Sequence, residues 1–305
     1  MGDHLLRSDD EAFWQVAIDH YDHDRVEEAF AIVREHGIGA VGEHLSFYRE
    51  IEAEAVSRRG ARRIELSEWV LFEYLPWEVG DPGPWARRVE KAIAAVSERM
   101  GWTPTEKALV AMLAKECDVP WAVHPYGYFA DKVPYDKICM PSYLLEDPGE
   151  FEQAVAHEYG HVISLNLSQG KAPRWLEEAV SVLLGREFDE EVVGEFARGE
   201  IEWLGPAELD GAFEAPDDVD EDDDSVWLAY QQAGLIGRYL AGLGGERRLG
   251  DLMRAHADIG LWRGLAASLA RRTPTDVALR RVYGLDESRL FEQAFASLSP
   301  GIPGR

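Results

Sequence analysis

The chain has 305 residues, 46% of them hydrophobic and 29% charged, which describes a folded protein with a sizeable core and excludes disorder as its dominant state. No apolar run approaches the ~20 residues that a membrane-spanning helix requires, the start Met1-Gly2-Asp3-His4 has none of the basic and apolar regions of a secretory signal, and two cysteines, Cys117 and Cys139, are too few for a disulfide framework and read as reduced thiols in a cytoplasmic protein. With 31 basic against 57 acidic residues the net charge is −26, which repels phosphate backbones and anionic head groups and so argues against nucleic acid and membranes as partners.

Residues 1 to about 60 read as a helical N-terminal segment. Phe13, Val16, Ala17 and Tyr21, then Ala29, Phe30 and Val33, recur at three- and four-residue spacing. Gly37 and Gly39 close the second helix, and a third pattern runs from Leu45 through Ile51 to Ala55. The composition then changes. Ile64 to Trp77 is rich in β-branched and aromatic residues and reads as one strand closed by Pro76. Asp81-Pro82-Gly83-Pro84 is a turn that starts a helix through Trp85, Val89, Ile93 and Val96, ending near Gly101. Ala108 to Leu113 reads as a short buried strand. Asp136 to Met140, followed by Pro141, reads as an edge strand. From Asp147 onward the pattern is helical, interrupted at Glu208 to Ser225, which contains the acidic stretch 217–224. That stretch reads as a solvated loop; it lacks the glycine and final glutamate of a calcium loop. The fold class is therefore α+β: a small mixed sheet packed on a helix described next, a mainly helical C-terminal lobe, and the helical N-terminal segment. The predicted domains are 1–60 and 61–300.

The chemistry is concentrated in one helix. Asp147 and Pro148 make a strong helix start, because an aspartate accepts from free amides and proline suits the first turn. The helix that follows contains His157-Glu158-Tyr159-Gly160-His161. Histidines four residues apart lie on one face, about one turn from each other, so both imidazoles can reach a single metal ion. Glu158 lies on a neighbouring line, where it can address a metal-bound water. Ala154, Val155 and Ala156 before the motif, and Val162, Ile163 and Leu165 after it, make this helix apolar nearly all round and hence buried. Buried histidines and a buried glutamate are costly without partners, and Zn²⁺ is the natural partner for imidazole and carboxylate ligands with one position left open. A third ligand is needed. A glycine three residues and a histidine six residues beyond His161 would supply one pattern, but Ser164 and Leu167 stand there. A second helix opening at Pro173 offers Glu177 and Glu178 beside an apolar face of Trp175, Leu176, Ala179, Val180, Leu183 and Leu184. Periodicity alone does not choose between the two acids.

The pair of blocks, HEYGH and PRWLEEAVS, resembles the zinc metallopeptidases called gluzincins, and most closely the peptidase MA-like group. In that group HExxH is followed by Pro-x-Trp-hydrophobic-x-Glu-Gly-hydrophobic-Ala. The resemblance aligns Trp175 with the block's tryptophan and Glu178 with its ligand glutamate; Ala179 stands where glycine is usual and Ser181 where alanine is usual. Residues 204–213, Ala229-Tyr230-Gln231-Gln232-Ala233, and residues 282–295 are similar to later segments of the group, so the likeness covers roughly 62–298 and leaves the first 60 residues outside. There is no Gly-x-Met-Glu-Asn segment, so the chain reads as an endopeptidase rather than an aminopeptidase.

The resemblance implies Zn²⁺ held by His157, His161 and Glu178, with Glu158 as general base in the hydrolysis of a peptide or protein substrate. Tyr230 is the candidate second electrophile for the oxyanion, ahead of His124, Tyr126 and Tyr128. Substrate is expected to lie extended along the edge strand 136–140. The alternative is a metal-binding, non-catalytic scaffold that recognises a peptide or partner protein. The presence of Glu158 favours the enzyme, since a binding module has no use for a base there.

Overall fold

A computed structural model describes residues 8–36, 43–115, 128–130, 135–213, 225–259 and 272–298. The architecture is mixed α and β, and the chain divides into two compact units. One comprises Met1–Lys91 and Pro104–Ala154, the other Ala92–Thr103 and Val155–Arg305. This division does not fall at residue 60: the N-terminal helices belong to the same unit as the sheet.

In the first unit, α1 (Ser8–Asp22), α2 (Val26–His36) and α3 (Glu43–Ser57) bury Trp14, Ala17, Tyr21, Ala29, Phe30, Val33, Ile51 and Ala55 in a common core, at the spacing the sequence displays. The sheet has five strands in the order β1-β2-β3-β5-β4: β1 (Arg62–Ser67), β2 (Val70–Tyr74), β3 (Lys107–Leu113), β4 (Tyr128–Ala130) and β5 (Tyr135–Pro141). β1/β2 and β4/β5 are antiparallel, whereas β2/β3 and β3/β5 are parallel. The sheet is therefore mixed, as expected. A 4-residue helix, α4 (Pro76–Val79), follows β2, and a 3₁₀ turn spans Ser142–Glu146.

Two strand expectations are corrected. Ile64–Trp77 is a hairpin rather than one strand. The turn at Glu68-Trp69 carries no glycine or asparagine; a bulge between Glu65 and Ser67 and a hydrogen bond from the Trp69 amide to the Ser67 hydroxyl shape it instead. Residues 136–140 are not an edge. β3 pairs along all of β5, and β4 covers Lys137–Cys139 on the other side. Asp136 and Lys137, the charged residues of this segment, are both buried. The segment proposed for substrate pairing is thus flanked by β3 along its length and by β4 at residues 137–139.

Lys137 is fully buried and salt-bridged. Its ammonium contacts Glu54 of α3, lies 3.4 Å from Asp24 in the α1–α2 turn, and sits 5.0 Å from the centre of the Tyr21 ring. Arg58 donates to Asp24, Glu54 and Glu73, and Arg63 donates to Asp24, Glu73 and the Tyr135 hydroxyl. Tyr135 in turn donates to Asp24 at 2.8 Å. Asp24 adopts a left-handed conformation (φ 51°), which turns the chain between the two helices. Three acids and three bases at the centre of this network join the N-terminal helices to β2 and β5.

Two helices run across the boundary between the units: α5 (Gly83–Met100), with Val89, Ile93, Val96 and Met100 buried along one stripe, and α6 (Pro148–Ser168). The second unit continues with α7 (Arg174–Gly185), α8 (Glu190–Arg198), α9 (Pro206–Ala212), α10 (Ser225–Gly244), α11 (Glu246–Ala257), α12 (Pro274–Val282) and α13 (Glu287–Leu298). The expected interruption at 208–225 is shortened by α9, whose Gly205-Pro206 start was not read as a helix signal. The acidic stretch 217–224 and Cys117 lie outside the described residues. No helix among the described residues is long and apolar enough to cross a membrane.

Candidate metal centre

α6 begins as its sequence indicates: the Asp147 carboxylate accepts from the amides of Gly149 and Glu150. His157 and Glu158 are almost completely buried, and His161 is partly so. α7 lies close beside this helix because small residues meet there. A Cβ on Gly160 would come within 2.9 Å of the Ser181 hydroxyl and 3.0 Å of its Cα. α10 approaches α7 in the same way, since a Cβ on Gly237 would lie 2.3 Å from the Ala179 carbonyl oxygen. The ends of α7 are held by charges that complement its dipole. Asp210 accepts from the Trp175 amide at the first turn, and Arg99 donates to the carbonyls of Leu183 and Leu184 at the last.

These placements bring His157, His161 and Glu178 together, with one donor atom of each within 4.8 Å of the others. The two Nε2 atoms are 3.3 Å apart, and Glu178 Oε2 lies 3.4 Å from His161 Nε2 and 3.9 Å from His157 Nε2. Tetrahedral ligands each about 2.1 Å from a zinc ion stand about 3.4 Å from one another. The three donors fit such an ion. Glu177 is not part of this cluster; burial raises its pKa to about 7 against the pull of Arg174, with the charge of Asp210 adding to the rise.

The electrostatics match the geometry. Burial lowers His157 to about 3 and keeps its imidazole neutral, the form in which an imidazole can bind a metal. Burial raises Glu178 to about 8 against the pull of Arg174, with Glu177 and Glu187 adding to the rise. Glu158 is also pushed up, first by burial and then by the charges of Glu178 and Glu187. The pocket is short of positive charge, a deficit that a divalent cation corrects.

The chain matches no protein-family model, no curated protein and no solved structure. What the site can do is therefore argued from its own residues.

One residue at this site carries only a faint sequence signal. Glu187 is buried with its Oε2 2.9 Å from His157 Nδ1, on the side of the ring away from the triad. Arg186 takes a left-handed conformation (φ 60°) at the end of α7, folding the chain back so that Glu187 reaches the ring. A Cβ on Gly185 would lie 2.3 Å from Glu187 Oε1 and 3.2 Å from His157 Cβ, so a bare α-carbon is needed there. Gln231 of α10 fixes the segment, donating to the Glu187 carbonyl and accepting from the Asp189 amide, both at 2.9 Å. An acid just past an apolar helix end, in Leu184-Gly185-Arg186-Glu187-Phe188, was the only hint. A carboxylate behind a ligand imidazole sets its orientation and basicity. If the triad holds zinc, Glu187→Gln is expected to weaken that binding about 10–100-fold, measured by competition with a chromogenic chelator; unchanged affinity would remove Glu187 from this role.

Tyr230 is placed next to the triad by α10. Its ring is 6.3 Å from that of His157 and packs edge-on against Phe213 at 5.2 Å. Burial, with Glu178 next, raises its pKa far above the ordinary phenol value, so it is a protonated donor. The adjacent Gln232 exchanges two hydrogen bonds with the Leu204 backbone, which anchors α10 to the segment before α9. His124 and Tyr126 lie outside the described residues, and only the backbone of Tyr128, in β4, is described.

Proposed function

We propose that this protein is a zinc-dependent peptidase of the gluzincin type, cutting within peptide or protein chains. The observation that carries the reading is the convergence of His157, His161 and Glu178, with Glu158 beside them and outside the ligand set. Zn²⁺ bound by these three residues would act as a Lewis acid and bring the pKa of a bound water to about 7. Glu158 takes the proton released as water adds to the scissile carbonyl and passes it to the leaving amine, for which a carboxylate fixed in a buried helix is well suited. The Tyr230 hydroxyl donates toward the oxyanion that develops on the carbonyl oxygen. Glu187 and Gln231 keep the His157 ring in place during these steps. The resemblance to the peptidase MA-like group, resting on residues 157–161 and 173–181, supports the same assignment.

The scaffold alternative is separated from this reading by cleavage itself. The protein loaded with one equivalent of zinc should cleave a denatured protein substrate, lose that activity on treatment with a strong chelator, and regain it when zinc returns. Cleavage that survives metal removal would overturn the role of the ion. A zinc-loaded protein that cleaves nothing would leave a recognition scaffold.

A further inference from the structure

Glu178 presents its two oxygens to different partners. Oε2 faces the histidines, whereas Oε1 lies 3.3 Å from Nε of Arg174, one turn earlier on α7. Arg174 is half exposed while Glu178 is buried, so the guanidinium reaches inward from the surface along the helix. Its charge acts on Glu158, Glu177, Glu178 and Tyr230 alike.

We propose that Arg174 is a positioning residue that occupies Glu178 Oε1 and so restricts Glu178 to one metal-facing oxygen, preserving the open coordination position. The inference rests on the metal-centre reading above and adds to it. A carboxylate is able to bind through one oxygen or both, and a second oxygen on the ion takes the place that water and substrate need. The Nε–H of arginine has a fixed direction in the guanidinium plane, which an ammonium group lacks. Arg174 thus acts through Glu178, not on substrate.

The experiment uses the full chain loaded with one equivalent of Co²⁺ as a spectroscopic substitute for zinc, comparing the wild type with Arg174→Ala and Arg174→Lys. The wild type should show the strong visible bands of a four-coordinate site. Both variants should show bands weakened about threefold as the coordination number rises. Arg174 is half exposed, so the variants should keep the native circular dichroism, which is recorded alongside. An Arg174→Ala spectrum equal to the wild type would overturn the inference and leave the metal reading intact. Recovery of the wild-type spectrum by Arg174→Lys would overturn the assignment to a directed N–H, because charge alone would then suffice. A wild type that takes up no Co²⁺ would remove both the metal centre and this role.

Discussion

Replacing Glu158 by glutamine is expected to lower peptide hydrolysis about 10²–10⁴-fold while the protein still binds one zinc ion. The substitution keeps the shape of the side chain and removes only its capacity to accept a proton. His157, His161 and Glu178 are untouched, so metal content measured by elemental analysis should be unchanged. Stability provides the control. Glu158 is buried near Glu178 and Glu187, and these charges act against its ionisation. The neutral amide relieves that repulsion, so the melting temperature should stay level or rise. Loss of activity with retained zinc and undiminished stability would be chemical, not structural. Equal cleavage by wild type and variant would remove Glu158 from the mechanism.

Lys137→Met should destabilise the protein by about 3–5 kcal/mol, the usual effect of removing one partner from a buried ion pair. Methionine fills much of the space but leaves Asp24, Glu54 and Glu73 to share Arg58 and Arg63. The pH dependence follows. Burial acts to raise Glu54, yet Lys137 and then Arg58 overcome it and hold the carboxyl at about 2. Its stabilising contribution is fully present above the ordinary carboxylate value of about 4.5 and disappears as pH falls through about 2. Without Lys137 that acid transition should move to higher pH. Urea unfolding at pH 7 and across pH 2–5 measures both effects. A loss below 1 kcal/mol at pH 7 would mean that the network carries little of the fold.

The parts of the site that follow helical periodicity were legible from residues alone. His157 and His161 share a face because they are four apart, and the apolar flanks of α6 announced its burial. The choice of Glu178 over Glu177 needs the aligned block; in the structure Glu178 shares a cluster with the two imidazoles and Glu177 does not. Glu187 was not legible because its position depends on a left-handed arginine where glycine would have signalled a helix end. The ion network of the first unit was hidden for a related reason. Asp24, Glu54, Glu73 and Lys137 are far apart in sequence, and each alone looks like a surface charge. The alternation of 136–140 and the proline after it suggest an edge strand, and only the burial of Asp136 and Lys137 in the structure shows otherwise. The hairpin at 64–77 was missed because its turn is made by a bulge and a serine hydroxyl instead of by the usual turn residues.

The close approach of α6, α7 and α10 at Gly160, Ser181, Ala179 and Gly237 has a consequence for how the site can vary. Backbone atoms touching backbone atoms leave no slack that a different side chain could take up, so the width between imidazole and carboxylate is locked by the chain itself. Variation at this site must therefore arise in the connecting segments and the outer wall, while the frame that carries His157, His161 and Glu178 changes only as one piece.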